Sequence, residues 1–172
     1  HMKDILLDAL FQYESWATRQ VLEECCALTQ AQFEQPLGLG HAVLCAREQL
    51  DPASDLVVVL YGDTPFISAE TLRRLIDAHE HATAAVSLVT FRPGDPALYG
   101  RIIRDDQQRI IDMVEYKEAT PDQRAIGEVN SGIFCYDTQW LLSHLDQLQP
   151  RPGHGELYLT DLVSLAAREG AI

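Results

Sequence analysis

The chain has 172 residues, 47% of them hydrophobic and 23% charged, which is typical of one soluble globular domain with a substantial core. The formal net charge of −13 argues against a nucleic-acid groove or an anionic membrane face, because both need basic patches. No apolar run approaches the roughly 18 residues of a membrane helix, and the four cysteines form no Cys-x-x-Cys pair. We therefore expect a cytoplasmic protein without a zinc ribbon or a disulfide framework.

A long amphipathic helix is predicted at the start of the chain. Apolar residues recur at helical spacing over residues 3–28, where no Gly or Pro interrupts them. Thr29 to Gln32 is a capping-box pattern that opens a further turn, and the string from Pro36 to Gly40 ends it. We therefore interpret residues 1–36 as a helical N-terminal segment and residues 37–172 as a separate α/β domain.

Strands alternate with helices from residue 41 onward, which predicts an α/β sheet. Antiparallel pairing is expected in one local hairpin, joined through the turn residues 105–108. The predicted strands cover residues 56–61, 84–91, 101–104, 110–115 and 128–136. The predicted helices cover residues 41–50, 69–80, 137–148 and 156–169, with N-caps at Ser68, Thr120 and Asp137.

The stretch from Leu56 to Pro65 is predicted to carry the centre of the sheet to a ligand. Five consecutive apolar residues, Leu56 to Leu60, are typical of a strand buried on both faces of a parallel sheet. The strand ends in Tyr61-Gly-Asp63, and ligands of open α/β sheets lie at the carboxyl ends of strands. A carboxylate there can hold a divalent metal against phosphate oxygens, although Gly-Asp-x-Pro is also ordinary turn chemistry.

Six short motifs follow one another from residue 37 onward. They are Leu37-Gly-x-Gly-His-Ala42, Leu60-Tyr-Gly-Asp-x-Pro65, Tyr99-Gly-Arg-Ile-Ile-Arg104, Val114-Glu-x-Lys-x-Ala-Thr-Pro-x-Gln-Arg124, Glu128-Val-Asn-x-Gly-Ile133 and Gly155-Glu-x-Tyr-Leu-Thr-Asp161. Each motif is weak alone. In this order they resemble the nucleotidyltransferase domain of N-acetylglucosamine-1-phosphate uridylyltransferases, which are sugar-nucleotide pyrophosphorylases.

The resemblance implies a partial Rossmann-like mixed sheet with flanking helices. It also implies a reaction in which a sugar 1-phosphate attacks the α-phosphate of UTP while Mg²⁺ neutralises the developing charge. A nucleotide-sugar or sugar phosphate would then be the bound partner. The resemblance makes Asp63 a metal ligand, and it assigns substrate binding to Gly38, Leu39, Tyr61, Gly62, Gly100, Glu115 and Asn130. Lys117 could face a phosphate, or it could be a solvated surface lysine.

The residue types at three of these positions are compatible with sugar binding. A glycine at 100 allows a ligand to approach the backbone, where a side chain would block it. Glu115 and Asn130 lie at or inside apolar strands, and sugar hydroxyls or an acetamide could satisfy their polar atoms. Without the motifs, a turn glycine, an exposed carboxylate and an internally satisfied amide would explain them equally simply.

Three departures from the family's pattern predict an impaired or inactive chain. Residues 1–36 hold no Gly-rich loop with an Arg, which in the family cradles the triphosphate, and Leu39 stands where the family usually has Thr. The family's second metal ligand, an Asn, would fall beyond Ile172. Phosphoryl-type transfer depends on positioning and electrostatics, and one lost donor costs roughly 3 kcal/mol of barrier. We therefore expect little turnover from this chain alone.

The front segment resembles a different family, the DinB-like four-helix-bundle proteins, through their first helix and turn. The matching residues are Tyr13-x-x-Trp16-Ala17-x-x-x-Val21-Leu22, Ala27-Leu-Thr29-x-x-Gln32-Phe33 and Pro36-Leu-Gly38. A chimera or a natural fusion is one interpretation, and a non-catalytic folded chimera or a DinB-like metal-dependent protein are the alternative functions. An unpaired sheet edge or the front helix would favour a homo-oligomer.

Overall fold

The computed structural model describes residues 38–61, 67–152 and 155–172, which belong to one compact unit beginning at Gly38. The helices are α1 (Gly38–Cys45), α2 (Ala69–Ala82), α3 (Pro121–Arg124), α4 (Thr138–His144) and α5 (Thr160–Glu169), with 3₁₀ turns at Arg47–Gln49 and Leu145–Gln147. The strands are β1 (Leu56–Val59), β2 (Val86–Phe91), β3 (Arg101–Arg104), β4 (Ile110–Val114) and β5 (Val129–Asp137). The predicted front helix lies outside the described residues, and the predicted domain boundary stays a prediction.

Strand β5 is the centre of the described sheet. It pairs with β1, β2 and β3, while β4 pairs with β3, and every one of these described pairings is antiparallel. Seven of the nine residues of β5 are buried. The strand has neighbours along both edges, since the segment from Phe134 to Tyr136 pairs with β1 and also with β2.

For the sheet that the described residues form, the prediction that Leu56–Leu60 is the central, fully buried strand of a parallel sheet is wrong. Strand β1 has four residues, all only half-buried, and it runs antiparallel to β5 with Leu56 opposite Asp137 and Val59 opposite Phe134. An apolar run records how much surface a strand can bury, but not which strand it pairs with. The central strand β5 was less conspicuous because Asn130, Ser131 and Gly132 dilute its apolar pattern.

Local signals placed several elements correctly. Ser68 accepts a hydrogen bond from the Thr71 N–H at 3.1 Å, and Thr120 and Gln123 form a complete capping box ahead of α3. The predicted hairpin is confirmed, with Arg101 opposite Val114 in β3 and β4. The last helix begins at Thr160 rather than at residue 156, and the helix after Asp137 ends at His144 before a 3₁₀ turn.

The core lies between the sheet and helices α4 and α5. Phe134, Tyr136, Leu141 and Val163 are fully buried there, and Leu162 is 1% exposed. Their burial supplies the main driving force for packing these two helices on the sheet. No helix in the described part of the chain is long and apolar enough to cross a membrane.

Helix α5 covers part of the outer strand β4. The Ser164 hydroxyl lies 3.4 Å from the Met113 N–H, which donates to it, and 3.3 Å from the Met113 carbonyl, to which it donates. One side chain thus satisfies both backbone groups that a neighbouring strand would otherwise pair. The predicted homo-oligomer through an exposed edge stays a prediction, and β4 offers it less free edge than the sequence suggested.

A buried carboxylate just before β5, that of Glu128, links residues of β2 and β3. Glu128 is 7% exposed and accepts two hydrogen bonds from the Arg104 guanidinium, at 3.0 and 2.7 Å. It also accepts from the Thr90 hydroxyl at 2.8 Å and from Arg92 at 3.2 Å. The hydrogen bonds from Arg104, above all, lower the pKa of Glu128 from 4.5 to about 2, so the group is ionised at neutral pH.

Candidate functional site

A cavity of about 390 Å³ opens where five separate stretches of the described chain meet. Its walls come from the start of α1, the residue Tyr61 after β1, the loop before β3, the segment after β4 and the segment before α5. Four of the predicted substrate-binding residues line it, namely Gly38, Leu39, Tyr61 and Glu115. Residues from distant motifs therefore share one cavity, and their assignment to substrate binding stays a prediction.

The glycines at the start of α1 let another backbone segment lie directly against the helix. A Cβ on Gly38 would stand 2.6 Å from the Leu157 carbonyl oxygen, and Gly38 has φ +40°. The Gly40 N–H donates to the same oxygen at 2.9 Å. The segment before α5 is thereby held against the first turn of α1, and together they form one wall of the cavity.

The Tyr61 side chain lies against strand β5 at a position that only glycine can occupy. A Cβ on Gly132 would stand 2.0 Å from two carbons of the Tyr61 ring, and Gly132 has φ +80°. The Gly132 N–H donates to the Asn130 side-chain oxygen at 2.9 Å. Gly132 therefore orients both a cavity residue and a predicted sugar-binding residue, a role that the sequence analysis did not assign to it.

Glu115 is held between a hydroxyl and a glycine. The Thr160 hydroxyl donates to its carboxylate at 3.1 Å, and a Cβ on Gly100 would stand 3.4 Å from the other carboxylate oxygen. Burial raises the pKa of the Glu115 carboxyl, and the hydrogen bond from Thr160 opposes that rise. A carboxylate fixed in this way can accept hydrogen bonds from ligand hydroxyls.

Asn130 is joined to this group through the backbone. Its N–H donates to the Gly100 carbonyl at 3.0 Å, and its side-chain oxygen accepts from Gly132. Within the described part of the chain, nothing accepts a hydrogen bond from its side-chain nitrogen, although the residue is only 7% exposed. Gly100 and Asn130 do not line the cavity themselves, but Gly100 adjoins the cavity residue Glu115, and Asn130 binds the Gly100 carbonyl.

Lys117 is the one lysine on the cavity wall, and it is exposed. It forms no ion pair with any of the residues that the structure describes. The nearby Arg151, in contrast, is engaged with Asp161 at 2.6 Å and with Glu118 at 3.3 Å. Among the described residues that line the cavity, Lys117 is therefore a cation without an ion pair, and its predicted role toward a phosphate stays a prediction.

The predicted metal ligand and one predicted substrate residue cannot be placed. Asp63 and Gly62 lie outside the described residues, as do the positions up to 66. No cluster of three or more His, Cys, Asp or Glu side chains that could hold a metal occurs among the residues described. Asp63 follows the cavity residue Tyr61 by two positions, and its role as a metal ligand stays a prediction.

Several cavity residues were missed. Tyr158 and Thr160 belong to the last motif, which could have identified them, and Tyr116 lies inside another. Burial, followed by a hydrogen bond to Glu156, raises the pKa of Tyr158 to about 12, so this hydroxyl stays protonated. Leu98 is 74% exposed on the cavity wall, and no feature of the sequence distinguished it from other loop residues.

Comparison with known proteins gives a consistent result. A family model described as nucleotidyl transferase matches residues 4–171. The chain is 46% identical over 138 residues to the bifunctional protein GlmU of Trichlorobacter lovleyi, covering 80% of this chain and 30% of that protein. It is 43% identical over 145 residues to bifunctional protein GlmU of Corynebacterium diphtheriae, covering 84% and 30%. The chain thus spans about a third of the length of these relatives.

A solved structure supports the fold. The structure of a UDP-glucose pyrophosphorylase complexed with UDP-glucose superposes with a TM-score of 0.59 at 17% identity, covering 81% of this chain and 53% of the other. At that identity the likeness concerns the fold alone. The family match also runs through residues 4–36, so it gives no support to a DinB-like origin for the front segment.

Proposed function

The chain belongs to the nucleotidyl transferase family, and on that basis we propose that its cavity binds a uridine nucleotide sugar. The proposed chemistry is uridylyl transfer from UTP to N-acetylglucosamine 1-phosphate. One observation carries the proposal: Gly38, Leu39, Tyr61 and Glu115, predicted from separate motifs, line a single cavity of about 390 Å³. Relatives at 46% and 43% identity support it.

The two ends of the ligand take different walls in this proposal. The nucleotide lies along Gly38, Leu39 and Tyr61, which line the cavity together. The amino sugar lies toward Glu115, with Gly100 beside that carboxylate. Asn130 binds the Gly100 carbonyl without lining the cavity, and the motif order alone assigns it to the sugar. These assignments rest on the geometry around Glu115 and on the motif order.

The phosphates occupy the space between those walls. Lys117 supplies a positive charge there, since it lines the cavity without an ion-pair partner among the described residues. Members of the family use a divalent metal, and we assign Mg²⁺ and its ligand Asp63 as the finer proposal. When bound, the metal would neutralise phosphate charge. The residues of this chain bind and orient the two substrates.

Binding of UDP-N-acetylglucosamine is the direct test. We expect calorimetry to detect this ligand, and Glu115→Ala to weaken its affinity at least about tenfold, or about 1.4 kcal/mol, because the sugar loses a fixed acceptor. UDP, which lacks the sugar, should bind the variant and the parent alike. Glu48→Ala removes an exposed carboxylate outside the cavity and serves as the control. Absence of binding by the parent chain would overturn the proposal and favour a non-catalytic protein.

Turnover by the 172-residue chain itself is expected to be low. Residues 1–36 contain no Gly-rich loop with an arginine to stabilise the transferring phosphate, and one missing donor of this kind costs roughly 3 kcal/mol of barrier. Pyrophosphate release from UTP and N-acetylglucosamine 1-phosphate with Mg²⁺ measures it. Rapid release that Asp63→Ala abolishes would contradict this expectation while supporting the proposed reaction.

The proposal also covers the cellular setting and the oligomeric state of the protein. The proposed setting is reducing and cytoplasmic, as the cysteine pattern without a Cys-x-x-Cys pair favours. Association into a homo-oligomer remains part of the proposal, and light scattering at micromolar concentration tests it. A clean monomer in that measurement would remove the oligomer without affecting the proposed chemistry.

A further inference from the structure

We propose that Arg101 is the positioning residue for the sugar end of the cavity, a role that rests on the proposed function and extends it. Its buried guanidinium ties the loop before β3, which carries Leu98 and Gly100, to the segment after β4, which carries Glu115 and Tyr116. Arg101 itself does not line the cavity. It acts through the groups that it holds in place.

The surroundings of Arg101 are unusual for an arginine. The residue is 2% exposed, yet it forms no ion pair with any carboxylate in the described part of the chain. Its guanidinium instead donates to backbone carbonyls of one loop, those of Pro96 at 3.3 Å, Ala97 at 3.0 Å and Tyr99. A buried cation satisfied by carbonyls fixes the backbone that supplies them.

The loop that encloses this guanidinium contains one residue in a disfavoured backbone conformation. Ala97 has φ +40°, in the left-handed region that side chains disfavour. Its N–H donates to Asp95 at 2.9 Å, and the Tyr99 N–H donates to Pro96 at 3.3 Å. The result is that Leu98, 74% exposed, stands on the cavity wall instead of packing into the core.

The same guanidinium also holds the opposite wall. Its central carbon lies 5.4 Å from the centre of the Tyr116 ring, whose other cationic neighbour is Arg124 at 4.6 Å. Arg101 donates to the Arg124 carbonyl at 3.2 Å, and Arg124 donates to the Tyr116 carbonyl at 3.2 Å. Glu115, next to Tyr116, has its carboxylate against Gly100. The pairing of Arg101 with Val114 in β3 and β4 brings Gly100 beside Glu115, and the Arg101 guanidinium fixes the loop before Gly100 and the ring after Glu115.

Arginine is required here because of its shape as well as its charge. A planar guanidinium presents five N–H donors in fixed directions. All three guanidinium nitrogens of Arg101 donate hydrogen bonds, and together they reach four backbone carbonyls. A lysine has one nitrogen and cannot reach carbonyls that lie on different sides. Arg101→Lys should therefore keep the buried charge and lose most of the positioning, and Arg101→Met should lose both.

The experiment compares the binding of two ligands by the parent, two Arg101 variants and one control variant. Each protein is first checked for cooperative thermal unfolding. Calorimetry gives the Kd of UDP-N-acetylglucosamine and of UDP for the parent, Arg101→Lys and Arg101→Met. The expected result is a loss of about tenfold for Arg101→Met with the nucleotide sugar, an intermediate loss for Arg101→Lys, and less than a twofold change with UDP. Arg109→Met removes an exposed arginine from the hairpin turn and should change neither Kd.

Hydrogen exchange without ligand supplies the second measurement. The Ala97 and Tyr99 amides should exchange faster in both Arg101 variants, while amides of β5 keep the parent's rates. Unchanged exchange in the loop, or equal weakening of both ligands, overturns the positioning role. If Arg101→Met does not fold, the Kd values and the exchange rates of Arg101→Lys decide the question. If the parent binds neither ligand, the proposed function fails, whereas faster exchange confined to the loop would still show that Arg101 holds it.

Discussion

Replacing Gly132 by alanine is expected to destabilise the protein by about 3 kcal/mol or more and to abolish detectable binding of UDP-N-acetylglucosamine. The added Cβ would stand 2.0 Å from two carbons of the Tyr61 ring, which is far inside contact distance. Overpacking of a well-filled site costs about 1–3 kcal/mol. A φ of +80° adds roughly 1–2 kcal/mol of backbone strain for any residue with a side chain.

The expected effect on binding follows from what Gly132 holds. The Tyr61 ring must leave β5 to admit the methyl group, and Tyr61 is part of the cavity wall. The Gly132 N–H also fixes the side-chain oxygen of Asn130, the predicted sugar-binding amide. Displacing Gly132 therefore disturbs the nucleotide wall and the sugar end together.

Chemical denaturation and calorimetry measure the two effects. Gly127→Ala is the matched control, because a Cβ on Gly127 meets nothing within 4 Å and the residue precedes β5 in the same segment. That control should change stability by less than about 1 kcal/mol. A Gly132→Ala protein as stable as the control, with parental affinity, would mean that Tyr61 does not rest on Gly132 in solution.

Glu128→Gln is expected to lower the free energy of unfolding by about 2 to 3 kcal/mol at pH 7. The carboxylate is 7% exposed and receives two hydrogen bonds from Arg104, so an amide leaves the half-buried Arg104 guanidinium without its counter-charge. The change in the pKa of Glu128, from 4.5 to about 2, corresponds to about 3.5 kcal/mol at about 1.4 kcal/mol per unit, and the solvent exposure of its partners Arg92 and Arg104 places the expected loss below that value. The same hydrogen bond raises the pKa of Arg104.

The pH dependence of this difference has a defined sign. Because folding lowers the pKa of Glu128, the stabilisation is fully present above the unfolded pKa of 4.5 and is lost as the pH falls through about 2. Denaturation of parent and variant between pH 7 and pH 2 should therefore show a gap that closes with acid. A gap that stays constant over this range would indicate that lost packing, not lost charge, destabilises the variant.

An exposed ion pair provides the control for Glu128. Asp146 pairs with Arg47 at 2.6 Å, but its side chain is 71% exposed. Solvent screening limits such a pair to less than about 1 kcal/mol, so Asp146→Asn should have little effect at any pH. A loss as large as that of Glu128→Gln would show that burial is not what distinguishes the two carboxylates.

Elements that depend on residues close together in the sequence were predicted correctly, whereas elements that depend on distant residues were not. The caps at Ser68 and Thr120 and the hairpin of β3 and β4 were correct, because residues within a few positions of each other form them. The start of the last helix was wrong, because residues 155–159 lie against α1 and bind Gly40 through Leu157 instead of continuing the helix. That contact spans more than a hundred residues, and a local pattern does not contain it.

The candidate site was predictable to a similar extent. Gly38, Leu39, Tyr61 and Glu115 were assigned from motifs, and the structure brings them to one cavity. Leu98 was not assigned to the site, because nothing in the sequence distinguishes it from other loop leucines and only the structure shows its exposure on the cavity wall. Arg101 was quoted inside a motif, but only its burial among four carbonyls indicates a task for it.

The sequence by itself determined the family, the order of the motifs and most local elements, because backbone propensity, capping and side-chain chemistry act over a few residues. The tertiary structure alone decided that β5, and not the apolar run from Leu56 to Leu60, is the central strand of the sheet that the described residues form. It also decided that Gly132 is required by the Tyr61 ring and that Arg101 bridges two walls of the cavity. The physical reason is that strand pairing, close approach and burial depend on residues far apart along the chain.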